Sequence, residues 1–547
     1  LTIKFRNTFG ENIFRFKYAQ GPGDTWDKLA ERLVDDVCGT RGGVLPALMS
    51  VEDRKHLAQA IKEFKFLPGG RYLYYAGRPY KAYNNCYLLR AEEDTREEWS
   101  AVTWRAMSCL MTGGGIGIDY SRLRPSGKAL SRTGGTASGP IPLMAAINEI
   151  GRNVMQGGSR RSAIYASLNW QHEDITQFLR AKNWSDVVRE QKLKDFNFPG
   201  PLDMTNISVN YDDASLIGGL ENNAVFQQNC LQAMMTGEPG FSFNFGSKQN
   251  ETLRNACTEV TSEDDSDVCN LGSINMGAIS NLEEFRGVVS LASKFLVCGT
   301  LRADLPYDKV YRVREKNRRL GLGLMGIHEW LLQRGYNYEV TPELHEWLKV
   351  YEDESERSAN EHCDRFYISR PVAYRAIAPT GSIGILAGTT TGIEPLFAVA
   401  YKRRFLTEGT KWKYQYVVDP TAQDLIQRYG VKPEQVTSAL DLSTDYERRI
   451  KFQADIQDYV DMSISSTINL PSWGSDANNE TRVSEFSKTL AKYAPRLRGF
   501  TCYPDASRGG QPLTPVPYEE AIKHKDAIYD EVIDICEFTG HGGSCGV

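Results

Sequence analysis

From about residue 76 to residue 510, short apolar runs alternate with stretches of helical periodicity, and nothing breaks the alternation. Strands and helices in strict turn build a sheet whose staves are covered by helices, which points to an α/β barrel. A chain of 547 residues is longer than one ordinary core supports, so two domains or one large barrel are both open. No internal repeat and no low-complexity linker divides it, which favours one large barrel domain over residues 76–515. A helical segment, 1–75, precedes it. There Thr25 and Trp26 open a run that places Leu29, Leu33, Val34 and Val37 on one face, and Ser50-Val51-Glu52-Asp53 reads as a helix start before Leu57, Ala60, Ile61 and Phe64. Residues 516–547 form a C-terminal segment with a Gly-rich end.

Composition narrows the function classes. Hydrophobic residues at 41% and charged residues at 24% suit a globular enzyme, and a net charge of −5 gives no electrostatic reason to expect nucleic acid or an anionic membrane as partner. No apolar run approaches a membrane span, and no leader opens the chain, so a cytoplasmic enzyme is expected. The cysteine count is odd, eleven, and no two cysteines stand at metal-ligand C-x-x-C spacing. That argues against a secreted disulfide framework and a metal site, and for reduced thiols, some kept for redox work. Cys38, Cys109, Cys230, Cys298, Cys363 and Cys502 read as small core hydrophobes.

Residues 255–259 read Asn-Ala-Cys-Thr-Glu, and Cys269 follows twelve residues after Cys257. In an extended segment, alternation would turn Asn255, Cys257 and Glu259 to one face. A thiol, a carboxylate and an amide together suit hydrogen abstraction, proton transfer and hydroxyl orientation; taken alone, the run also fits a buried cysteine with incidental polar neighbours. The acidic stretch Glu263–Asp267 inside the interval reads as a solvated turn that closes the loop.

Three other segments bear on this choice. Cys86 sits in Tyr83-Asn-Asn-Cys-Tyr-Leu-Leu89; residues 379–397 run Pro-Thr-Gly-Ser-Ile-Gly through Gly392-Ile-Glu-Pro-Leu-Phe397; the chain closes on Cys536 and Cys545. In this order the four elements resemble the catalytic subunit of ribonucleotide reductase, from about Leu67 to Val547. The resemblance implies a ten-stranded α/β barrel with a central finger loop carrying a radical cysteine. On it Cys257 carries the thiyl radical, Glu259 is the general base for the 3′-hydroxyl, and Asn255 holds the substrate hydroxyls. Cys86 and Cys269 are the pair that closes to a disulfide as the ribose is reduced, and Cys536 and Cys545 are the tail shuttle that reopens it by thiol exchange with a thioredoxin- or glutaredoxin-like donor. A weak metal clip with His541 is the other reading of that tail. Thr380, Gly381, Ser382 and Ile383 have the composition of a helix start that takes phosphate. Two loops resemble the specificity loops of the family: Gly113–Gly139, with Arg124 and Arg132, and Gln156–Ala163, with Gly158, Arg160 and Arg161. In the family a dNTP or ATP effector binds beside these loops at a homodimer interface, for which the helices around Trp99–Cys109 and Pro142–Met155 are candidates.

The variant resembles class II, which uses adenosylcobalamin. Class I takes its radical from a second subunit through two adjacent tyrosines, and the matching stretch here reads Phe500-Thr501-Cys502-Tyr503, without the pair. Ala256 and Thr258 depart from the commoner Pro and Gly of class II, which bears on subclass more than on reaction. The first 75 residues lack a Gly/Lys-rich nucleotide loop, so the ATP-binding cone of some relatives is expected to be absent. The string Gly321-x-Gly-x-x-Gly326 follows a basic run rather than a buried strand, and reads as a barrel element instead of a dinucleotide site. A class I-like subunit awaiting a radical-generating partner and an inactive nucleotide-sensing homologue are the alternatives.

Overall fold

The computed structural model describes residues 5–154, 163–195, 197–407, 411–505, 513–525 and 527–530. Strand β1 (Phe66–Pro68) precedes five staves, β2 (Cys86–Arg90), β3 (Gly115–Asp119), β4 (Ile164–Asn169), β5 (Thr205–Tyr211) and β6 (Gly240–Phe243), which lie side by side and parallel in chain order. A short hairpin, β7 (Leu253–Arg254) and β8 (Thr261–Ser262), leads to β9 (Asp267–Asn275), antiparallel to β2 and to β1. β10 (Leu320–Met325) runs parallel to β9. After the hairpin β11 (Ala400–Thr407) and β12 (Lys411–Val418) come β13 (Thr467–Leu470) and β14 (Gly499–Pro504), mutually parallel, with β14 antiparallel to β6. The remaining gap is closed by single parallel bridges, Leu322 to Arg375 and Ile377 to Ile464. The ring thus holds five parallel staves, β2 to β6, and five more: β9, β10, the 375–377 segment, β13 and β14. The two halves meet antiparallel at β2–β9 and β6–β14. β15 (Leu513–Pro515) and β16 (Ile528–Asp530) flank β11–β12 in a separate four-stranded sheet.

Alternation along the staves separates two kinds of surface. Ile207, Val209, Tyr211, Phe241 and Phe243 face the helices; Phe241 packs edge-on against Phe226 of the helix Ala224–Thr236, ring centroids 5.5 Å apart. The other face carries Gly115, Gly117, Tyr165, Ser167, Ser208, Asn210 and Ser242, with Asn210 Nδ2 donating to Ser167 Oγ at 3.1 Å. Barrels are usually packed inside by branched aliphatics. Small and polar residues here leave room for a backbone, and the β7–β8 hairpin fills it. A Cβ on Gly117 would overlap the carbonyl oxygen of Arg254, and one on Gly115 would stand 3.3 Å from Ala256 Cβ.

The N-terminal helices form where their caps and faces direct. Thr25 Oγ1 accepts from Lys28 N at 3.2 Å to start Trp26–Cys38, and Ser50 Oγ accepts from Asp53 N at 3.1 Å to start Val51–Lys62. Leu29, Leu33, Val34 and Val37 are buried, and Trp26 stacks on Phe64 with centroids 5.0 Å apart. This apolar cluster is continuous with the barrel's. Among the described residues no helix is long and apolar enough to cross a membrane.

Replacing Gly117 with Ala forces the hairpin off β3. We expect a loss of about 1–3 kcal/mol of stability, typical of overpacking, read by urea denaturation, together with loss of activity.

Candidate active site

The hairpin delivers three of the sequence-predicted residues, though not by alternation. Residues 255–260 are a tight turn rather than a strand. Thr258 N donates to Asn255 O and Val260 N to Asn255 Oδ1, both at 3.0 Å, and Thr258 takes the left-handed φ of +71°. The turn wins because the Asn255 side chain supplies a hydrogen bond a strand partner would otherwise provide. It brings Asn255 and Glu259 together across its base with Cys257 at the tip. Asn255 and Glu259 are buried, and Cys257 is partly exposed. Thr258, β-branched at the positive φ of +71°, stores strain of about 1–3 kcal/mol that glycine would not.

Burial sets the acidity of Glu259, pushing its carboxyl up to about 7; its own backbone N–H and the Asn255 amide offset only part of that rise. Glu259 Oε2 and Asn255 Nδ2 are buried and reach no hydrogen-bond partner at full bonding distance. A buried acceptor and a buried donor left open side by side suit a ligand that brings hydroxyls. The hairpin's far side is fixed to the closing seam, where Ser463 N donates to Glu259 O at 2.8 Å.

Cys86 and Cys269 stand directly opposite each other in the β2–β9 ladder. Such partners have Cα atoms about 4.5–5.5 Å apart, inside the window of about 4.4–6.8 Å that a disulfide requires. Both cysteines are buried. Burial, then the charges of Asp267 and Glu259, push the Cys269 thiol well above the usual range, so it keeps its hydrogen. Cys269 shares an apolar cluster with Leu253 and Val260 of the hairpin. The glycines of Gly321–Gly326 find their reason here: the string is stave β10 itself, and a Cβ on Gly321 would stand 2.9 Å from Cys269 Sγ.

The acidic stretch is not a solvated turn. Asp265, Ser266 and Asp267 are buried. Asp265 accepts from Arg90 N at 2.8 Å and pairs with Lys309 at 2.7 Å; Asp267 binds Ser262 at 2.6 Å, and Arg319 and Asn317 at 2.9 Å. Cations contributed from distant segments make burial of the acids possible, and local composition does not reveal them. Sequence reasoning also missed Arg254. It is 1% exposed and donates to carbonyl and amide oxygens: Glu251 O, Leu253 O at 3.2 Å, Asn244 Oδ1 at 2.8 Å, Arg498 O at 3.2 Å and Phe243 O at 3.4 Å. Burial, then the nearby Arg498, lowers its pKa to about 9. It holds the hairpin's root to β6 and β14. In sequence it is one charge among several, between Glu251 and Glu259, and carries no signal of its own.

Thr380 caps the helix Gly381–Ala387 in a left-handed conformation, its hydroxyl accepting from Gly392 N at 2.8 Å. The first N–H groups of a helix have no partner within it, and here they belong to Gly381, Ser382 and Ile383. Lys17 Nζ donates to Ser382 Oγ at 3.2 Å. Arg124 is paired with Asp94, and Arg132 is exposed on the loop after β3. Gly158, Arg160, Arg161, Cys536 and Cys545 lie outside the described residues. On the helix Arg96–Met111, Trp104, Met107 and Met111 are exposed on one side.

Two observations bear on the cobalamin that the resemblance implies. Cys257 alone of the three candidate site thiols is not fully buried. On the inner face of β14, Thr501 Oγ1 bonds Thr467 Oγ1 at 3.1 Å and Ser466 O at 2.9 Å, while Cys502 turns outward to Ala233 O. The Thr501-Cys502 stretch, where the resemblance would place the class I tyrosines, thus carries a hydroxyl on the inner face and a thiol on the outer. The partly exposed Cys257 thiol fits a group that delivers a radical to it.

The ribonucleotide reductase barrel-domain family matches residues 84–199, 220–347 and 370–494. A vitamin B12-dependent ribonucleoside-diphosphate reductase of Mycobacterium tuberculosis is 28% identical over 545 residues, spanning 87% of this chain and 75% of that protein. One from Thermoplasma acidophilum is 26% identical, spanning 83% and 66%. The crystal structure of a B12-dependent (class II) ribonucleotide reductase shares the fold, with a TM-score of 0.71 over 98% of this chain and 95% of that one at 17% identity. The chain is an α/β-barrel oxidoreductase. It belongs to the ribonucleotide reductase family.

Two variants probe the turn. Thr258→Gly relieves the left-handed strain and should raise stability by about 1 kcal/mol. Glu259 titrates at about 7 in the fold against 4.5 normally, so the folded chain holds an extra proton between those values and stability falls as pH rises through that window. Above it the cost is on the order of 3 kcal/mol. Glu259→Gln should therefore be more stable than the parent at pH 8, with the gap closing toward pH 4.5, as read by urea denaturation.

Proposed function

We propose that the chain is an adenosylcobalamin-dependent reductase of ribonucleoside di- or triphosphates. The observation that carries this is the convergence of Cys257, Glu259 and Asn255 on one turn inside a barrel whose wall presents Cys86 opposite Cys269. Adenosylcobalamin, when bound, supplies the radical that starts the chemistry. The Cys257 thiyl takes the 3′ hydrogen atom of the ribose, a step made reversible by comparable S–H and C–H bond strengths. Glu259, poised near neutrality, takes the 3′-hydroxyl proton as general base, while the Asn255 amide donates to a substrate hydroxyl. Cys86 and Cys269 give two protons, one to the 2′ hydroxyl, which leaves as water, and one, with two electrons, to the carbon it vacates, and close to a disulfide. Glu259 then returns its proton to the 3′ oxygen and Cys257 its hydrogen atom to C3′, which restores the thiyl.

The other parts follow the family. Thr380, Gly381, Ser382 and Ile383 receive the substrate phosphates at the start of their helix, with Lys17 beside them. Cys536 and Cys545 relay electrons from a thioredoxin- or glutaredoxin-like protein to the spent pair. Arg124 and Arg132, with Gly158, Arg160 and Arg161, sense a dNTP or ATP effector. The exposed Trp104, Met107 and Met111 support a homodimer built on their helix, since apolar side chains in a row seek a partner surface.

The test is an anaerobic assay of the purified chain with ribonucleotide and dithiothreitol, with and without adenosylcobalamin. Deoxyribonucleotide formed only with the cofactor is the expected result; product without it, or none in either, rejects the proposal. Cys257→Ala should abolish turnover and leave nucleotide binding intact. The kcat/KM profile should rise through about pH 7 as Glu259 ionises. Replacing Cys536 and Cys545 by Ser should stop thioredoxin-supported turnover and spare that with dithiothreitol; equal loss with both reductants rejects the shuttle.

A further inference from the structure

Residues 6–17 lie along the helix Gly381–Ala387, in the opposite sense. Arg6 meets the end of that helix, donating from Nη1 to Gly388 O at 2.8 Å. The short helix Thr8–Ile13 lies against its second half, so closely that a Cβ on Gly10 would stand 2.9 Å from Leu386 O and 3.1 Å from Ile385 O. This approach needs a residue without a Cβ at position 10. Lys17 reaches the start of the helix, where its Nζ donates to Ser382 Oγ at 3.2 Å. Three separate contacts along one helix are more than a segment needs to cover an apolar core.

Arg6 does more than touch the helix. The same Nη1 donates to Glu329 Oε1 at 2.7 Å, and Nη2 donates to Asp424 Oδ2 at 2.6 Å. Glu329, 3% exposed, sits on the helix Ile327–Gln333 that follows β10. Its Oε2 accepts from Thr389 Oγ1 at 2.5 Å, and its backbone N donates to Thr390 Oγ1 at 3.3 Å. Gly326 N, at the end of β10, adds a bond to Thr390 O at 2.8 Å. From there the chain turns back along the helix. Thr389 N donates to Gly384 O at 3.0 Å, and Gly392 N to Thr380 Oγ1 at 2.8 Å. Helix and return loop are thus one hydrogen-bonded unit, seated through residues 388–390 on Arg6 and Glu329. A buried carboxylate keeps its place when its charge is matched, and Arg6 is a cation that matches it. Without Arg6 the seat keeps a buried charge short of its partner, and the unit loses its fixed place.

We infer that Arg6 and Glu329 are positioning residues of the substrate site, which makes the N-terminal segment a part of that site. This rests on the reading of residues 380–383 as the receiver of the substrate phosphates. Neither Arg6 nor Glu329 need touch the substrate. They fix residues 380–383 relative to stave β10, and through it to Cys269. An unseated helix samples other positions, and a substrate that binds selects the right one. The loss therefore appears in affinity rather than in the rate at saturation.

The experiment compares CDP and CTP with cytidine as ligands of the full chain by titration calorimetry. The nucleotide that is reduced faster, with adenosylcobalamin and dithiothreitol, then serves for kinetics. The parent chain should bind that nucleotide at least about tenfold tighter than cytidine. Equal binding rejects the phosphate reading itself, and the inference with it. With the preference present, Arg6→Ala should raise KM and the nucleotide Kd about tenfold and leave kcat at saturation within about twofold. Cytidine binding should not change. Arg6→Lys, which keeps the charge and loses the fork of donors, should recover part of the loss. Thr389→Val keeps Arg6 and breaks the bond to Glu329; it should raise KM in the same sense, and it decides if Arg6→Ala fails to fold. A lower melting temperature with KM unchanged, or a loss confined to kcat, overturns the inference and leaves the phosphate reading in place.

Discussion

Everything in the site depends on bringing a polar hairpin into the middle of a barrel and holding it there. Arg254 does this with a charge that forms no ion pair among the described residues. Its guanidinium is satisfied by carbonyl and amide oxygens from both half-barrels at the seam where β6 meets β14. A lysine in the same place would keep the charge and lose the fork of donors. Because Arg254 immediately precedes Asn255, any slack at the root would pass directly into the positions of the amide, the thiol and the carboxylate.

The barrel makes room for this by giving up the interior it would otherwise pack. Glycines on β3 admit the hairpin backbone, hydroxyls and amides on β4 to β6 line the remaining space, and the apolar burial moves to the outer face and the helices. The same trade appears at β10, where Gly321 lets the Cys269 sulfur sit against the wall. Desolvation then acts on the chemistry: the carboxyl of Glu259 is brought toward neutrality and the Cys269 thiol is kept protonated by one and the same shortage of water.

The barrel was legible in the sequence because strand–helix alternation is a local signal, and so were the N-terminal helices, whose caps and faces lie within a few residues of one another. The residues of the turn were legible by chemistry but not by geometry. The extended reading set Asn255, Cys257 and Glu259 on one face of a strand, where the fold has a turn instead, since an Asn side chain that closes its own turn looks, in sequence, like any other polar residue. The buried acids at 265 and 267 and the role of Arg254 were not legible, because their partners come from Arg90, Arg319, Phe243 and Arg498. Apolar periodicity cannot predict which distant cation will arrive.

The ring is unevenly stitched. Its first half is a ladder of parallel staves paired over four to six residues, whereas the 375–377 segment joins its neighbours by isolated bridges and by backbone hydrogen bonds such as Leu322 N to Tyr374 O and Ser465 N to Ile377 O. Ser463, beside that segment, holds the carbonyl of Glu259, while the thiol pair stands in the β2–β9 ladder. The base and the reducing pair are therefore mounted on different walls of the ring, so a change that displaces one need not displace the other.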